Sequence, residues 1–366
     1  MAGSFWLSEA ESVFFSRTKS LVGLDIGSSA VKAVELRLTT NGYKVAAIGT
    51  EAVPPDSIVD GSIIDGGVVA DVIRQVFEKT KIKTKEVVAS LSGNAVIVKK
   101  ITLPLMSDDE LAESIYWEAE QYIPFDIQDV NIDYQVIEAV ADDPNQDTMD
   151  VLLVAAKKEK IADYSAVISQ AGRVPVVVDV DAFALQNAYE INYGIDMSQV
   201  VVLVNAGASA MNINIIEGGQ SLFTRDISLG GNAYTEALQT DLSLSFEDAD
   251  LLKRGLPVEG VSMEEALPTI LNVTENLLLE IEKTFDFFKA TAASDRIDQL
   301  FVSGGAAGVE GFVDALEARF DLPISHFDPF RQIAFDTKQF SQEQRQELVA
   351  TSAVAVGLAL REEDDR

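Results

Sequence analysis

Leu24-Asp25-Ile26-Gly27-Ser28-Ser29-Ala30-Val31-Lys32-Ala33-Val34-Glu35-Leu36 reads as an apolar strand that enters a glycine and two serines and leaves as a second strand of alternating pattern. Half a chain later the plan recurs in Val204-Asn205-Ala206-Gly207-Ala208-Ser209-Ala210-Met211-Asn212-Ile213-Asn214-Ile215-Ile216. A glycine at the apex lets backbone approach a phosphate, because no Cβ intervenes. Successive N–H groups in such a turn form an anion-holding concavity, and the hydroxyls of Ser28, Ser29 and Ser209 add donors. Asp25 is placed to act on Mg²⁺ through its water shell, and Lys32 offers a compact positive charge. One such turn is an ordinary hairpin. Two in one chain read as facing jaws.

A third glycine motif supports that reading. Leu300-Phe301-Val302-Ser303-Gly304-Gly305 is a buried strand that ends in a glycine pair before a helix, a usual meeting place of nucleotide and backbone. The chain has neither a Gly-x-x-x-x-Gly-Lys-Ser/Thr loop nor a Gly-x-Gly-x-x-Gly fingerprint, which disfavours P-loop and Rossmann enzymes.

The rest of the chain is α/β. Gly67 to Lys79 carries the broad apolar face Val68, Val69, Val72, Ile73, Val76 and Phe77 of a helix. Val96 to Leu103 alternates as a strand. Ser107-Asp108-Asp109-Glu110 then fits a capping box for a helix with the face Leu111, Ile115, Ala119 and Tyr122, stopped by Pro124. Val130 to Val136 and Val151 to Ala155 are strands around an Asp142-Asp143-Pro144-Asn145 turn, and a helix from Lys158 ends at Gly172. This unit reads as inserted into the first domain, with Val174 to Val180 the return to its sheet. A long amphipathic helix is expected from about Ile270 to Lys289, and Thr351 to Leu360 is a small-residue helix able to pack closely.

Composition excludes several classes. The 366 residues are 47% hydrophobic, enough for two or more domains, and the net charge of -31 repels polyanions, so no nucleic-acid partner is expected. No Cys and a single His, His326, rule out thiolate and His-rich metal sites, and His326 reads as a partly buried loop or strand residue. No apolar run suffices for a transmembrane segment, and no signal peptide is visible, so a cytoplasmic protein is expected. Trp6, Ala10, Val13 and Phe14 share a helical face near the N-terminus, suited either to packing on the chain's own domain or to a membrane or partner surface.

Paired phosphate hairpins with a later Gly-Gly motif resemble the actin-like ATPase superfamily, whose members clamp ATP between two related domains. Within it the chain is similar to the PilM family of type IV pilus assembly proteins and, more distantly, to FtsA. The resemblance rests on the first hairpin, on Trp117-Glu118-Ala119-Glu120-Gln121-Tyr122-Ile123-Pro124-Phe125, on Val178-Asp179-Val180, on Gly230-Gly231 and on Val356-Gly357-Leu358-Ala359-Leu360-Arg361. It implies an actin-like two-domain fold with duplicated ribonuclease-H-like cores and an inserted FtsA-type subdomain. The expected divisions are an N-terminal amphipathic segment (1–20), domain I (21–95), the insertion (96–173), a return to domain I (174–200), domain II (201–338), and a C-terminal helix returning to domain I before an acidic tail (339–366).

The resemblance implies ATP and Mg²⁺ as cofactors. Asp25, Gly27, Ser28, Ser29 and Lys32 would form the first phosphate loop and Gly207, Ala208 and Ser209 the second, with Asp25 serving the metal. Gly230 and Gly231 would lie near the nucleotide, Gly304 and Gly305 beside the adenosine, and Asp250 with Lys253 near ribose or base. Relatives place Asp where this chain has Asn205, so binding with slow or no hydrolysis is expected, and Asp181 is the other water-positioning candidate. The implied partner is the cytoplasmic N-terminal peptide of PilN, an inner-membrane protein, which would hold the chain peripheral to that membrane. Tyr116, Trp117, Tyr122, Ile123 and Phe125 would line or support its groove, although an aromatic helix face is most often core. Self-association is left open. Alternative readings are a small-molecule kinase on the same fold and a self-anchoring filament protein like FtsA, against which the ending Glu362-Glu363-Asp364-Asp365-Arg366 counts.

Overall fold

A computed structural model describes residues 20–137, 147–291, 296–336 and 340–362. The segment around Trp6, the Asp142-Asp143-Pro144-Asn145 turn and the residues after Glu362 lie outside the described residues. The first half opens as an antiparallel meander of β1 (Val22–Ile26), β2 (Ala30–Thr39) and β3 (Gly42–Ala52). A short hairpin, β4 (Ile58–Val59) with β5 (Ser62–Ile63), leads to α1 (Gly66–Thr80). The Asp65 side chain caps α1 by accepting the Val68 N–H, and Val69, Val72, Ile73, Val76 and Phe77 are buried against the sheet. Next, β6 (Glu86–Leu91) pairs parallel to β1.

The insertion then departs from the end of β6. It comprises β7 (Val96–Pro104), α2 (Asp108–Glu120), β8 (Val130–Ile137) and β9 (Thr148–Lys157), with sheet order β7-β9-β8. Ser107 and Glu110 form the expected capping box, a device worth about 1 kcal/mol, and Leu111, Ile115 and Ala119 bury into a separate small core. The chain returns through α3 (Lys158–Gln170), β10 (Val174–Val180), which pairs parallel to β6, and α4 (Asp181–Tyr193).

One boundary differs from the sequence reading. Tyr164, Val167 and Ile168 of α3 bury into the first domain's core with α1, not into the core of the insertion. Helix α3 joins the fourth and fifth strands of the first sheet, so the insertion ends with β9.

The second half repeats the plan with β11 (Val200–Ala206), β12 (Met211–Glu217) and β13 (Gln220–Ile227). The helices α5 (Asn232–Leu242), α6 (Phe246–Lys253) and α7 (Met263–Thr291) follow, then β14 (Gln299–Ser303), α8 (Phe312–Phe320) and β15 (Ile324–His326). The two main sheets run β10-β6-β1-β2-β3 and β15-β14-β11-β12-β13, each with two parallel neighbours on one side of its first strand and an antiparallel meander on the other. These are the duplicated cores expected.

Helix α7 begins a turn and more before the expected start. Pro268 lies near the beginning of the helix, where few backbone bonds are lost. Ser262 and Glu265 form a second capping box ahead of it, a Ser-x-x-Glu signal that locates the true start. His326 ends β15 and is exposed, not partly buried.

Finally α9 (Gln342–Thr351) leads into α10 (Ala353–Ala359), every residue of which is buried. Helix α10 crosses α4 and covers β1, and a Cβ on Gly357 would stand 1.6 Å from the Ala184 carbonyl oxygen. Only glycine permits that approach. Just beyond, Arg361 grips Asp179 of β10 with two hydrogen bonds of 2.7 and 3.0 Å. Leu185 and Tyr189 of α4 pack with Val356 of α10 in a core shared by Val34 and Ile48 of the first sheet and Val201 and Phe301 of the second.

Candidate functional site

The two repeated turns close alike. The Gly27 N–H donates to the Ala30 carbonyl at 3.1 Å, and the Gly207 N–H to the Ala210 carbonyl at 2.9 Å. Among the described residues the amides of Ser28, Ser29, Ala208 and Ser209 donate to no protein acceptor. They are the free N–H groups that an anion would take.

Behind each turn stands one cross-strand pair in the same register. Asp25 faces Lys32, and their side chains pair at 2.8 Å. Asn205 faces Asn212, and the Asn205 amide donates to the Asn212 side-chain oxygen at 3.1 Å. The equivalence extends to a β-bulge, which shifts the third strand between Glu35 and Leu36 in one copy and between Ile215 and Ile216 in the other. The bulge sets Thr50 opposite Lys32 and Asp226 opposite Asn212.

Asp226 is the buried carboxylate beside the second turn that sequence reasoning missed. The second copy looks neutral when its first two strands are read alone, yet Asp226 accepts a 2.8 Å bond from the Asn212 amide. Its other oxygen accepts the N–H of Gly93, which lies between β6 and the insertion. Burial raises the Asp226 carboxyl above the usual carboxylate range, and these two donors oppose that rise.

Asp181 begins α4 in the same cleft, where it accepts the Ser90 hydroxyl at 2.5 Å. Desolvation first, and the Asp25 carboxylate second, push it up to about 7. Asp181 therefore senses the carboxylates of both Asp25 and Asp226. Among the described residues no three acidic or imidazole groups are close enough to hold a metal ion by themselves.

The glycine pairs border the second loop. The Gly231 N–H donates to the Gly207 carbonyl at 2.9 Å, and the Asn232 N–H to the Ala208 carbonyl at 2.7 Å. Gly304 backs onto Ala206, while a Cβ built on Gly305 would face open space. Asp250 and Lys253 lie together on α6, paired at 2.6 Å, and Lys253 also donates to the Thr235 hydroxyl at 2.8 Å. The adjoining Arg254 reaches Glu347 of α9, the helix that borders the turn after Gly304.

The insertion separates its aromatic candidates. Ile123 is buried in its core, and Tyr122 and Phe125 are partly buried beneath the ammonium groups of Lys99 and Lys157. Helix α2 ends before Tyr122, which leaves Leu111, Ile115 and Ala119 as its buried face. Tyr116 and Trp117 point the other way, 53% and 75% exposed, so the expectation that aromatics on this helix are core does not describe them.

Among the described residues no helix is long and apolar enough to cross a membrane. A solved structure titled the PilM-PilN type IV pilus biogenesis complex includes a chain 28% identical to this one, with TM-score 0.82, covering 94% of this chain and 98% of that one. The cell division protein FtsA of Enterococcus hirae is 24% identical over 86% of this chain and 79% of its own length. MreB5 of Spiroplasma citri, solved with ADP, shares the fold at 15% identity and TM-score 0.50, over 92% of this chain and 94% of its own. The sequence family described as type IV pilus assembly protein PilM matches residues 23–363, which takes in both jaws, the insertion and the returning helix. The chain belongs to that family.

Proposed function

We propose that this protein holds ATP between its two jaws and docks the cytoplasmic N-terminal peptide of PilN on the inserted subdomain, as an assembly component peripheral to the inner membrane. The repeated turn carries the nucleotide half of the reading. Free amides at Ser28, Ser29, Ala208 and Ser209, beside the Lys32 ammonium, are a donor set suited to a polyphosphate. Gly230, Gly231, Gly304, Gly305 and the Asp250–Lys253 pair would border the rest of the nucleotide.

Asp25 engages Lys32 through one carboxylate oxygen and keeps the other for a metal-bound water. Magnesium, which retains water and takes few protein ligands, suits a cleft without a direct carboxylate cage. When bound it would neutralise charge on the phosphates. Asn205 is engaged with Asn212 and carries no charge, so nothing at that position activates water, and ATP turnover is slow or undetectable.

The peptide half rests on the likeness to a chain solved in a PilM-PilN complex and on three exposed apolar side chains of the insertion, Leu105, Tyr116 and Trp117. The net charge of -31 favours a basic, extended peptide. Calorimetric titration with the PilN peptide, with and without ATP, tests the reading; binding in neither condition rejects it. Chromatography of nucleotide released from the denatured, purified protein tests the clamp directly.

A further inference from the structure

We propose that Asp226 is a positioning residue that couples the nucleotide loops of the second jaw to the inserted subdomain. The proposal rests on the reading above, in which the cleft holds nucleotide and the insertion a peptide. Its basis is a continuous row of hydrogen bonds. The Asn205 amide donates to Asn212 at 3.1 Å and the Asn212 amide to Asp226 at 2.8 Å, while the Ser303 hydroxyl behind them is shared between the Val204 carbonyl at 3.2 Å and the Asn205 side-chain oxygen at 3.4 Å. From the opposite domain, the Gly93 N–H donates to the second oxygen of Asp226.

Both ends of the row matter. Ser303 immediately precedes Gly304 and Gly305, the pair assigned to the adenosine side. Gly93 opens a short helical turn, Gly93–Ala95, that runs straight into β7, the first strand of the insertion, and β7 itself lies against β13. The Asn205 and Asn212 amides are both directed along the row toward Asp226, and the Gly93 N–H donates to it from the other side. An ionised carboxylate accepts and never donates, so it fixes the orientation of both asparagine amides.

The row has two arrangements, made or broken. A shift of the second jaw that carries Asp226 away leaves a desolvated carboxylate and the Gly93 and Asn212 donors without partners, which is costly. Closure around nucleotide therefore sets the root of β7, and the insertion reports the state of the cleft. Among the described residues the first jaw shows no such connection: Lys32 pairs back onto Asp25, and Thr50 holds the place of Asp226.

The test uses the full chain and its Asp226→Asn variant, titrated with the PilN N-terminal peptide in the presence and absence of Mg·ATP. The substitution keeps the shape and turns one acceptor into a donor that opposes Asn212 or Gly93. In the wild type, ATP changes peptide affinity roughly tenfold, a usual coupling factor. In D226N the factor falls to about one while ATP and peptide alone bind within about threefold of the wild type. Hydrogen exchange at the Gly93 amide becomes at least about tenfold faster.

An unchanged coupling factor with Gly93 still protected overturns the proposal. Ser303→Ala cuts the far end of the row and should weaken coupling while Gly93 stays protected, which keeps the test decisive if D226N folds poorly. Wild-type protein that binds both ligands without mutual influence defeats this proposal and leaves the docking reading standing. Wild-type protein that binds neither defeats the docking reading first.

Discussion

Across the first turn Asp25 and Lys32 meet as an ion pair, and across the second Asn205 and Asn212 meet as neutral amides in the same register. The backbone of the two copies agrees down to the position of the bulge, yet the carboxylate of the second has moved two strands outward, to Asp226. Duplication has kept the frame that leaves the turn amides without a protein acceptor and redistributed the charge. The first jaw keeps its two charges paired with each other behind the turn, and the second sets the Asp226 carboxylate against the opposite domain.

The largest expected effect tests that division. Lys32→Ala should weaken ATP binding on the order of 30-fold, the scale of a lost charge-assisted contact, whereas Asn212→Ala stays within about threefold by calorimetry. A greater loss in N212A would break the comparison. Next comes the location of the carboxylate. The double substitution N205D/D226N should raise ATP turnover about tenfold by returning the acid to the turn, and N205D alone should not, because two carboxylates then flank Asn212. Phosphate release measures both.

A smaller effect separates Asp181 from the carboxylates that act as paired groups. Burial pushes its pKa up to about 7 in the fold, so the native chain holds a proton there that the unfolded chain releases above about pH 4. Stability from this group is therefore lost as pH rises from about 4 through 7. Asp181→Asn should raise Tm by about 3 °C at pH 8 and leave it unchanged near pH 4. Smallest of all, Ser262→Ala should cost about 1 kcal/mol in urea unfolding, through the α7 cap found in the second half.

Much of the frame was legible because it is local. A glycine between two apolar strands, repeated, announces the jaws, and Ser107 with Glu110 announces α2. Asp226 was not legible, because its partner depends on the bulge: counted back from the Gly218-Gly219 turn without it, Arg225 would face Asn212. The allegiance of α3 was equally hidden, since its periodicity gives a buried face but not the sheet that covers it. Trp117 reads as core by composition, although the stripe of Leu111, Ile115 and Ala119, already visible in the sequence, turns it outward on α2.

The fully buried α10 has a consequence for how the chain comes into being. β1 is covered by a helix that follows the whole second domain in the chain. The first domain must wait, with one face of its sheet bare, while the whole second domain is translated. Loop closure over so long a separation is slow, and the waiting intermediate presents apolar surface to its surroundings. A nascent chain cut short before Ala353 should therefore depend on chaperones even though both sheets are already encoded.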